Sequence, residues 1–271
     1  AACSLSSKDE FGELSVSLNQ MAENLRQAIS RLEDANTQLE KEVEKERLLL
    51  KERKELVDHL SHEMKTPLGI IQAYAEGLQD TNDEEKRQNY SRVIISETRR
   101  MNDLIVTLLD LSALESGASQ LSLTRFDFVE LTETVAGRLL VDAPDHNFDL
   151  QYELPEEKIF VYTDKRRMEQ VLDNLMINAK KNIHPGGILR LELTADNRFL
   201  HFSVFNQGNN ISEEDLPKIW TKFYRANRTA YSGSGLGLSI AAQILSMQGL
   251  SYGAENLPDG VRFYFSIPIS E

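Results

Sequence analysis

Residues 58–68, Asp58-His59-Leu60-Ser61-His62-Glu63-Met64-Lys65-Thr66-Pro67-Leu68, decide how this chain is read. They lie within a run in which Val57, Leu60, Met64, Leu68, Ile71, Ala75 and Leu78 recur at steps of three and four, the pattern of one helical face. At about 100° per residue, His62 falls roughly 200° from both Leu60 and Met64, so its imidazole faces away from the apolar seam. An outward imidazole beside a carboxylate, Glu63, is a nucleophile equipped for attack on an electrophile. Pro67 cannot donate to the carbonyl of Glu63, and the spacing predicts a bend or loosening of the helix just past His62.

The 271 residues suffice for one or two domains with full cores. The net charge of −13 argues against a nucleic-acid partner, which calls for a basic surface. A single cysteine, Cys3, excludes an internal disulfide and fits a reducing compartment. No run of about 18 apolar residues is present, so no membrane contact is expected within these residues. The first residues read as the middle of a helix. The expectation is a piece of a longer chain whose sensor and membrane parts lie upstream.

Leu14, Leu18, Met21, Leu25, Ala28, Leu32, Ala35 and Leu39 alternate steps of four and three, a coiled-coil heptad. After Leu39 the register slips to Val43, Leu50 and Val57, a break that lets one helical segment rotate against the next. The charged stretch from Glu40 to Arg53 reads as a solvated face. The helix is predicted to reach about Gln79, followed by a turn with Thr81 or Asn82 as the next cap. A second helix carries Tyr90, Ile94, Met101, Leu104, Leu108 and Leu111 on one face and stops near Glu115 and Gly117. Such a hairpin cannot bury its apolar faces alone; two make a four-helix bundle, hence a homodimer. Ser116 to Gln120 serve as a linker. Beyond Leu121, strand-like runs at 148–154, 158–162, 188–194, 200–205 and 261–267 interleave with helices at 127–140, 165–182 and 235–248. That texture predicts an α+β sandwich, a mixed sheet with helices on one face.

The motifs along the chain resemble those of the sensor histidine kinases of two-component signalling. Ser61-His62-Glu63-Met64-Lys65-Thr66-Pro67-Leu68 resembles their H-box, and residues 8–14 resemble the Asp-Glu-x-Gly segment in the second half of HAMP linkers. The segment from Met168 to Lys181 resembles the N-box, with Asn174 and Asn178 on one helix face and Lys181 near it. Residues 204–211 resemble the G1 box, Asp-x-Gly-x-Gly in the family; here Asn206 replaces the aspartate, Gly208 is kept, and Asn210 replaces the second glycine. Phe223, Tyr224 and Arg225 fall in the F-box. Residues 226–232 suit a lid, and Gly233, Gly235, Leu236 and Gly237 fall in the G2 box. The boxes occur in the family's order over residues 58–240.

The resemblance implies a multidomain α and α+β chain: HAMP remnant and signalling coiled coil (1–40), dimerisation and phosphotransfer hairpin (41–116), linker (117–121), and catalytic domain of the Bergerat type (122–271). It implies ATP as substrate, with Mg²⁺ on Asn178, whose carboxamide oxygen is a hard ligand suited to that ion. Asn206 would accept the adenine amino proton without charge assistance. An asparagine at 210 would tolerate a left-handed turn. His62 would be the phosphoacceptor, Glu63 the base that orients its imidazole, and Thr66 the residue that helps to dephosphorylate the regulator. The phosphoryl group would pass to an aspartate of a response regulator, and the whole would be the cytoplasmic portion of a bacterial inner- or plasma-membrane sensor.

Other readings compete. His59 and His62 beside Glu63 suggest a metal, but the zinc-protease spacing is His-Glu-x-x-His and no further ligand cluster follows. His146, His184 and His201 read as surface residues, and Trp220 as packing. The changes at Asn206 and Asn210 are compatible with a catalytically dead dimeric adaptor. An ATP-driven clamp of the gyrase and chaperone superfamily would share the nucleotide fold, though it needs no phosphoacceptor helix.

Overall fold

The computed structural model describes residues 10–117, 120–141, 148–225 and 235–269. The chain divides into two compact units, Ala1–Leu60 and Ser61–Glu271.

The described part of the first unit is helical. Helix α1 runs without interruption from Glu10 to Asp80 and so continues into the second unit. In the first unit the heptad residues Leu14, Leu18, Met21, Leu25, Leu32 and Leu39 are all exposed on the single chain. An apolar stripe on an isolated helix is what a coiled coil leaves for a partner helix. Pro67 lies inside α1 and is buried, and the helix does not break there. The expected loosening is therefore at most local: the residues on both sides of Pro67 keep the helical backbone.

In the second unit, α1 turns into α2, Glu84–Glu115. The cap is Asp83, not Thr81 or Asn82. Its carboxylate accepts from the amides of Glu85 at 3.0 Å and Lys86 at 3.3 Å, while the Thr81 hydroxyl accepts from the Asp83 amide at 3.3 Å. An aspartate satisfies two orphan amides and carries the charge that the helix dipole favours, so it takes the cap from its neighbours. Gly117, φ +68°, ends the helix in the left-handed conformation, as the sequence predicts. The hairpin is closed by Tyr74 edge-on to Tyr90, centroids 5.2 Å apart, and Leu104, Leu111 and Leu114 of α2 are buried.

The remaining elements form the α/β part. Strand β1 (Leu123–Asp127) pairs antiparallel with β3 (Phe160–Asp164), and a five-stranded mixed sheet has the order β2-β4-β5-β7-β6. Its members are β2 (Phe148–Glu153), β4 (Gly187–Ala195), β5 (Phe199–Gln207), β6 (Ser251–Leu257) and β7 (Gly260–Pro268). Only β2 and β4 are parallel. Helices α3 (Phe128–Val141), α4 (Lys165–Asn182) and α5 (Gly237–Met247) complete it. Leu189, Leu191 and Leu193 of β4, Leu200, Phe202 and Val204 of β5, and Phe263, Phe265 and Ile267 of β7 are buried at alternate positions. Period-two burial means one face packs against the helices, where Met168, Val171, Leu172, Leu175 and Met176 of α4 complete the core. Two strands escape the sequence pattern. β1 is five residues beginning with an exposed leucine, and β6 (Ser-Tyr-Gly-Ala-Glu-Asn-Leu) carries Gly and Asn in an edge position where packing demands little.

The α/β part is anchored to α2. Asp110 accepts from Arg167 Nη1 at 2.8 and 2.9 Å and from Gln170 at 2.7 Å, and Glu115 pairs with Lys222 at 2.5 Å.

Candidate functional site

The site has two halves, both within the second unit. On the hairpin, His62 is exposed on α1, and the Thr66 hydroxyl one turn later donates to the His62 carbonyl at 3.4 Å. Glu63 is only partly exposed. Its carboxylate faces two guanidiniums, Arg225 of the segment after β5 at 3.6 Å and Arg100 of α2 at 3.8 Å.

The other half collects around the C-terminal end of α4. Asn206, in β5, is 1% exposed. Its Nδ2 donates to the carbonyl of Asn182 at 3.3 Å, which directs its Oδ1 the other way. That Oδ1 is buried with no hydrogen-bond partner among the described residues. A buried acceptor without a donor is costly unless a ligand uses it, and the exocyclic amine of adenine is such a donor. The geometry thus fits adenine. It also explains the asparagine: a carboxylate there would face the Asn182 carbonyl, whereas an amide presents a donor to that carbonyl and an acceptor to the ligand. Gly208 follows two residues on. A Cβ at that position would lie 2.3 Å from the Asn182 carbonyl oxygen, so no larger residue fits the backbone as it stands. Asn210, by contrast, does not need the left-handed tolerance assigned to it. Among the described non-glycine residues only Phe223, φ 58°, has a positive φ; the chain passes residue 210 in an ordinary conformation.

Asn174 and Asn178 lie on one face of α4, both half-buried. Asn182 donates to the Asn178 carbonyl at 2.8 Å and to its Oδ1 at 3.3 Å, so the amide of Asn178 is held in place through its oxygen end. The hard carboxamide oxygens of Asn174 and Asn178 are chemically suited to Mg²⁺. Lys181 lies one turn past Asn178, its pKa held below the usual lysine range by burial first, then by Arg100 and Arg225 nearby.

The third contribution comes from the start of α5. Gly235, φ +70°, accepts the Phe223 amide at 2.9 Å, and a Cβ there would stand 2.8 Å from the Phe223 Cα. The two left-handed residues lock the F-box segment against the entry to α5. Leu236 is fully buried, no side-chain cap is found among the described residues, and Gly237 brings the first turn against Asn174. Uncapped first-turn amides suit a phosphate. Phe223 is buried; Tyr224 hydrogen-bonds to Asp215, which raises the phenol's pKa and lowers that of the carboxylate. Gly233, the 226–232 lid and His146 lie outside the described residues. His184 and His201 are exposed, and Trp220 packs edge-on to Tyr252 and Phe263, centroids 5.0 and 5.9 Å away.

The structure therefore brings Asn174, Asn178, Lys181, Asn206, Gly208, Phe223, Gly235 and Gly237 around the end of α4, and sets Arg225 against Glu63. Three participants are not evident from sequence: Asn182, whose carbonyl orients Asn206; Arg100; and the Asp110–Arg167 pair. Each acts through a contact between segments distant in sequence or through its main chain, which no local pattern reveals.

Comparison with known proteins identifies the domains along the chain. Residues 4–27 match the HAMP domain, residues 52–117 the His Kinase A (phospho-acceptor) domain, and residues 163–271 the histidine kinase-, DNA gyrase B-, and HSP90-like ATPase family. The sensor protein VanSB of Enterococcus faecalis is 30% identical over 279 residues, 97% of this chain and 58% of that protein. Histidine kinase ThkA, solved in complex with response regulator protein TrrA, is 27% identical with a TM-score of 0.67, over 80% of this chain and 61% of that one. Full-length ShkA in complex with AMPPNP is 26% identical with a TM-score of 0.58, over 78% of this chain and 45% of that one. The chain belongs to the sensor histidine kinases of two-component systems, and it carries their phosphoacceptor hairpin and GHKL-type ATPase fold. It spans about half the length of the curated relatives it matches. Among the described residues, no helix is long and apolar enough to cross a membrane.

Proposed function

We propose that this chain binds ATP, transfers the γ-phosphoryl group to His62, and passes it to an aspartate of a partner response regulator. The observation that carries this reading is the buried, unpartnered Oδ1 of Asn206, in the same compact unit as the phosphoacceptor helix and on a domain whose Arg225 reaches Glu63. Adenine would lie with its amine on Asn206, beside Gly208. The phosphates would lie along α4 and the start of α5, near Lys181. Mg²⁺ would be held by Asn178, with Asn174 on the same face, and would supply charge neutralisation for the triphosphate.

His62 attacks through one imidazole nitrogen. Glu63 accepts the proton of the other, which keeps the attacking lone pair free. The division into 1–40, 41–116, 117–121 and 122–271 follows these roles. The exposed apolar residues of α1 and α2, Val57, Leu68, Ile105 and Leu109 among them, support a homodimer through a four-helix bundle. Thr66, held on the His62 turn, supports a second activity, dephosphorylation of the regulator. The match to a HAMP domain supports the cytoplasmic portion of a membrane sensor as the source.

The test is phosphate transfer from γ-labelled ATP with Mg²⁺, comparing the wild type with His62→Gln. An acid-labile label on the wild type that is missing from the variant is expected. Absence of both label and nucleotide binding in the wild type would reject the kinase in favour of a nucleotide-free adaptor.

A further inference from the structure

Two guanidiniums meet at one carboxylate, and a third cation, Lys181, lines the cleft beside them. Arg100 Nη2 stands 3.8 Å from one oxygen of Glu63 and Arg225 Nη1 3.6 Å from the other, while the affinity of Lys181 for a proton is lowered by burial first and then by both guanidiniums. The second ion pair of Arg100, to Glu97, is also 3.8 Å. Both contacts of Arg100 are longer than a hydrogen bond. A cleft of about 460 Å³ opens here, lined by Glu63 and Pro67 of α1, Arg99, Arg100 and Leu104 of α2, and Lys181 of α4.

Like charges gathered near Glu63 repel one another, Glu97 beside Arg100 and Asp103 in the cleft wall offset part of that repulsion, and an entering anion relieves the rest. The cleft connects the nucleotide helix, which supplies Lys181, to the turn that bears His62. Its walls admit a phosphate, and a guanidinium offers the planar fork that phosphate oxygens match.

We propose that Arg100 is a catalytic residue of the phosphoryl transfer: with Lys181 it binds the phosphoryl group in the cleft as that group passes between nucleotide and His62. This rests on the kinase reading above. In the transfer the lone pair of one His62 nitrogen forms the N–P bond. The bond from Pγ to the bridging oxygen breaks, and its electron pair leaves on ADP. The proton on the other imidazole nitrogen goes to Glu63. Arg100 couples these events. Without phosphate it is paired with one oxygen of Glu63; when it turns to the phosphoryl oxygens, that oxygen is freed to accept the proton while Arg225 stays on the other.

The experiment compares wild type, Arg100→Gln and Arg100→Lys in three measurements: MgATP affinity by calorimetry, single-turnover labelling at saturating ATP, and return of phosphate from the labelled protein to ADP. Arg100→Gln is expected to hold ATP affinity within about threefold while slowing forward and reverse transfer alike by about a hundredfold, the scale of losing one charged donor to a transition state. Arg100→Lys should recover part of that loss. A wild-type transfer rate in Arg100→Gln, or a loss confined to ATP affinity, overturns the proposal. If circular dichroism shows that Arg100→Gln does not fold, Arg100→Lys decides: slowed transfer with intact ATP affinity supports the role, and an unchanged rate overturns it. A wild type that takes no label would instead fail the kinase reading, so the two failures are distinguishable.

Discussion

Arg225 lies 3.6 Å from Glu63 of the same chain, so the F-box of the catalytic domain meets the phosphoacceptor turn of its own hairpin. Both residues are only about a quarter exposed, which strengthens the pair relative to a surface contact. If the catalytic domain reaches its own His62, phosphorylation within a dimer proceeds in cis. A mixed dimer of His62→Gln and Asn178→Ala chains should then take essentially no label, since neither chain holds both functional halves. Labelling of the His62-bearing chain at a rate comparable to wild type would establish transfer across the dimer.

The anchoring of the α/β part predicts a pH dependence. Burial raises the Asp110 pKa, but hydrogen bonds from Gln170 and Arg167 outweigh it, so the folded pKa lies below the usual value near 3.8. A depressed carboxylate contributes stability that is present above its unfolded pKa and is lost as pH falls through the folded one. Arg167, 4% exposed, would then face a neutral partner. Asp110→Asn should cost about 2 kcal/mol at neutral pH, the scale of a charged hydrogen bond left unmade. Its loss of melting temperature between pH 5 and 3 should be shallower than that of the wild type, which thermal melts across that range would check.

The adenine reading turns on Asn206. Removing its acceptor in Asn206→Ala should weaken ATP about tenfold, the value of one buried hydrogen bond, with little change in GTP binding. Guanine presents a carbonyl where adenine presents an amine, so the ATP preference itself should shrink. Competition calorimetry with both nucleotides measures it. A preference for ATP that survives the substitution would place the base elsewhere.

Gly208 gives an independent check on the same site. In Gly208→Ala the new methyl would stand 2.3 Å from the Asn182 carbonyl, forcing apart the end of α4 and the turn after β5. Overpacking of this kind costs about 1–3 kcal/mol. The displaced carbonyl also orients Asn206, so nucleotide affinity should fall about tenfold or more while His62 on the hairpin is untouched. Equal affinity in the variant would mean that the backbone can yield there.

Much of this was legible in the sequence, for stated reasons. Helix α4 was predicted at 165–182 and is Lys165–Asn182, because Asp164 caps it and apolar residues line one face. The catalytic boxes could be ordered because each is a contiguous run of residues. What was hidden depends on the third dimension. The cap at Asp83 competes with two plausible neighbours, and only the actual backbone chooses. The β1 and β6 strands are specified by their partners rather than by their own composition. The partners of Glu63 are 37 and 162 positions away in the chain, at Arg100 and Arg225, where no periodicity relates them.

The proposed phosphatase role of Thr66 predicts that the two proposed activities can be separated. Its hydroxyl donates to the His62 carbonyl at 3.4 Å, a long contact that a water or an acyl phosphate could replace at small cost. Among the described residues it makes no hydrogen bond to Glu63, Arg100 or Arg225. Thr66→Ala should therefore leave labelling of His62 within about twofold, as expected for an exposed substitution away from the reacting nitrogen. Dephosphorylation of the regulator needs a water placed beside the aspartyl phosphate, and a lost hydroxyl that orients it should slow this step by about tenfold or more. Time courses of labelled regulator with either protein, run in the presence of ADP, measure the second rate directly. Equal loss of both activities would mean that Thr66 supports the helix rather than the water.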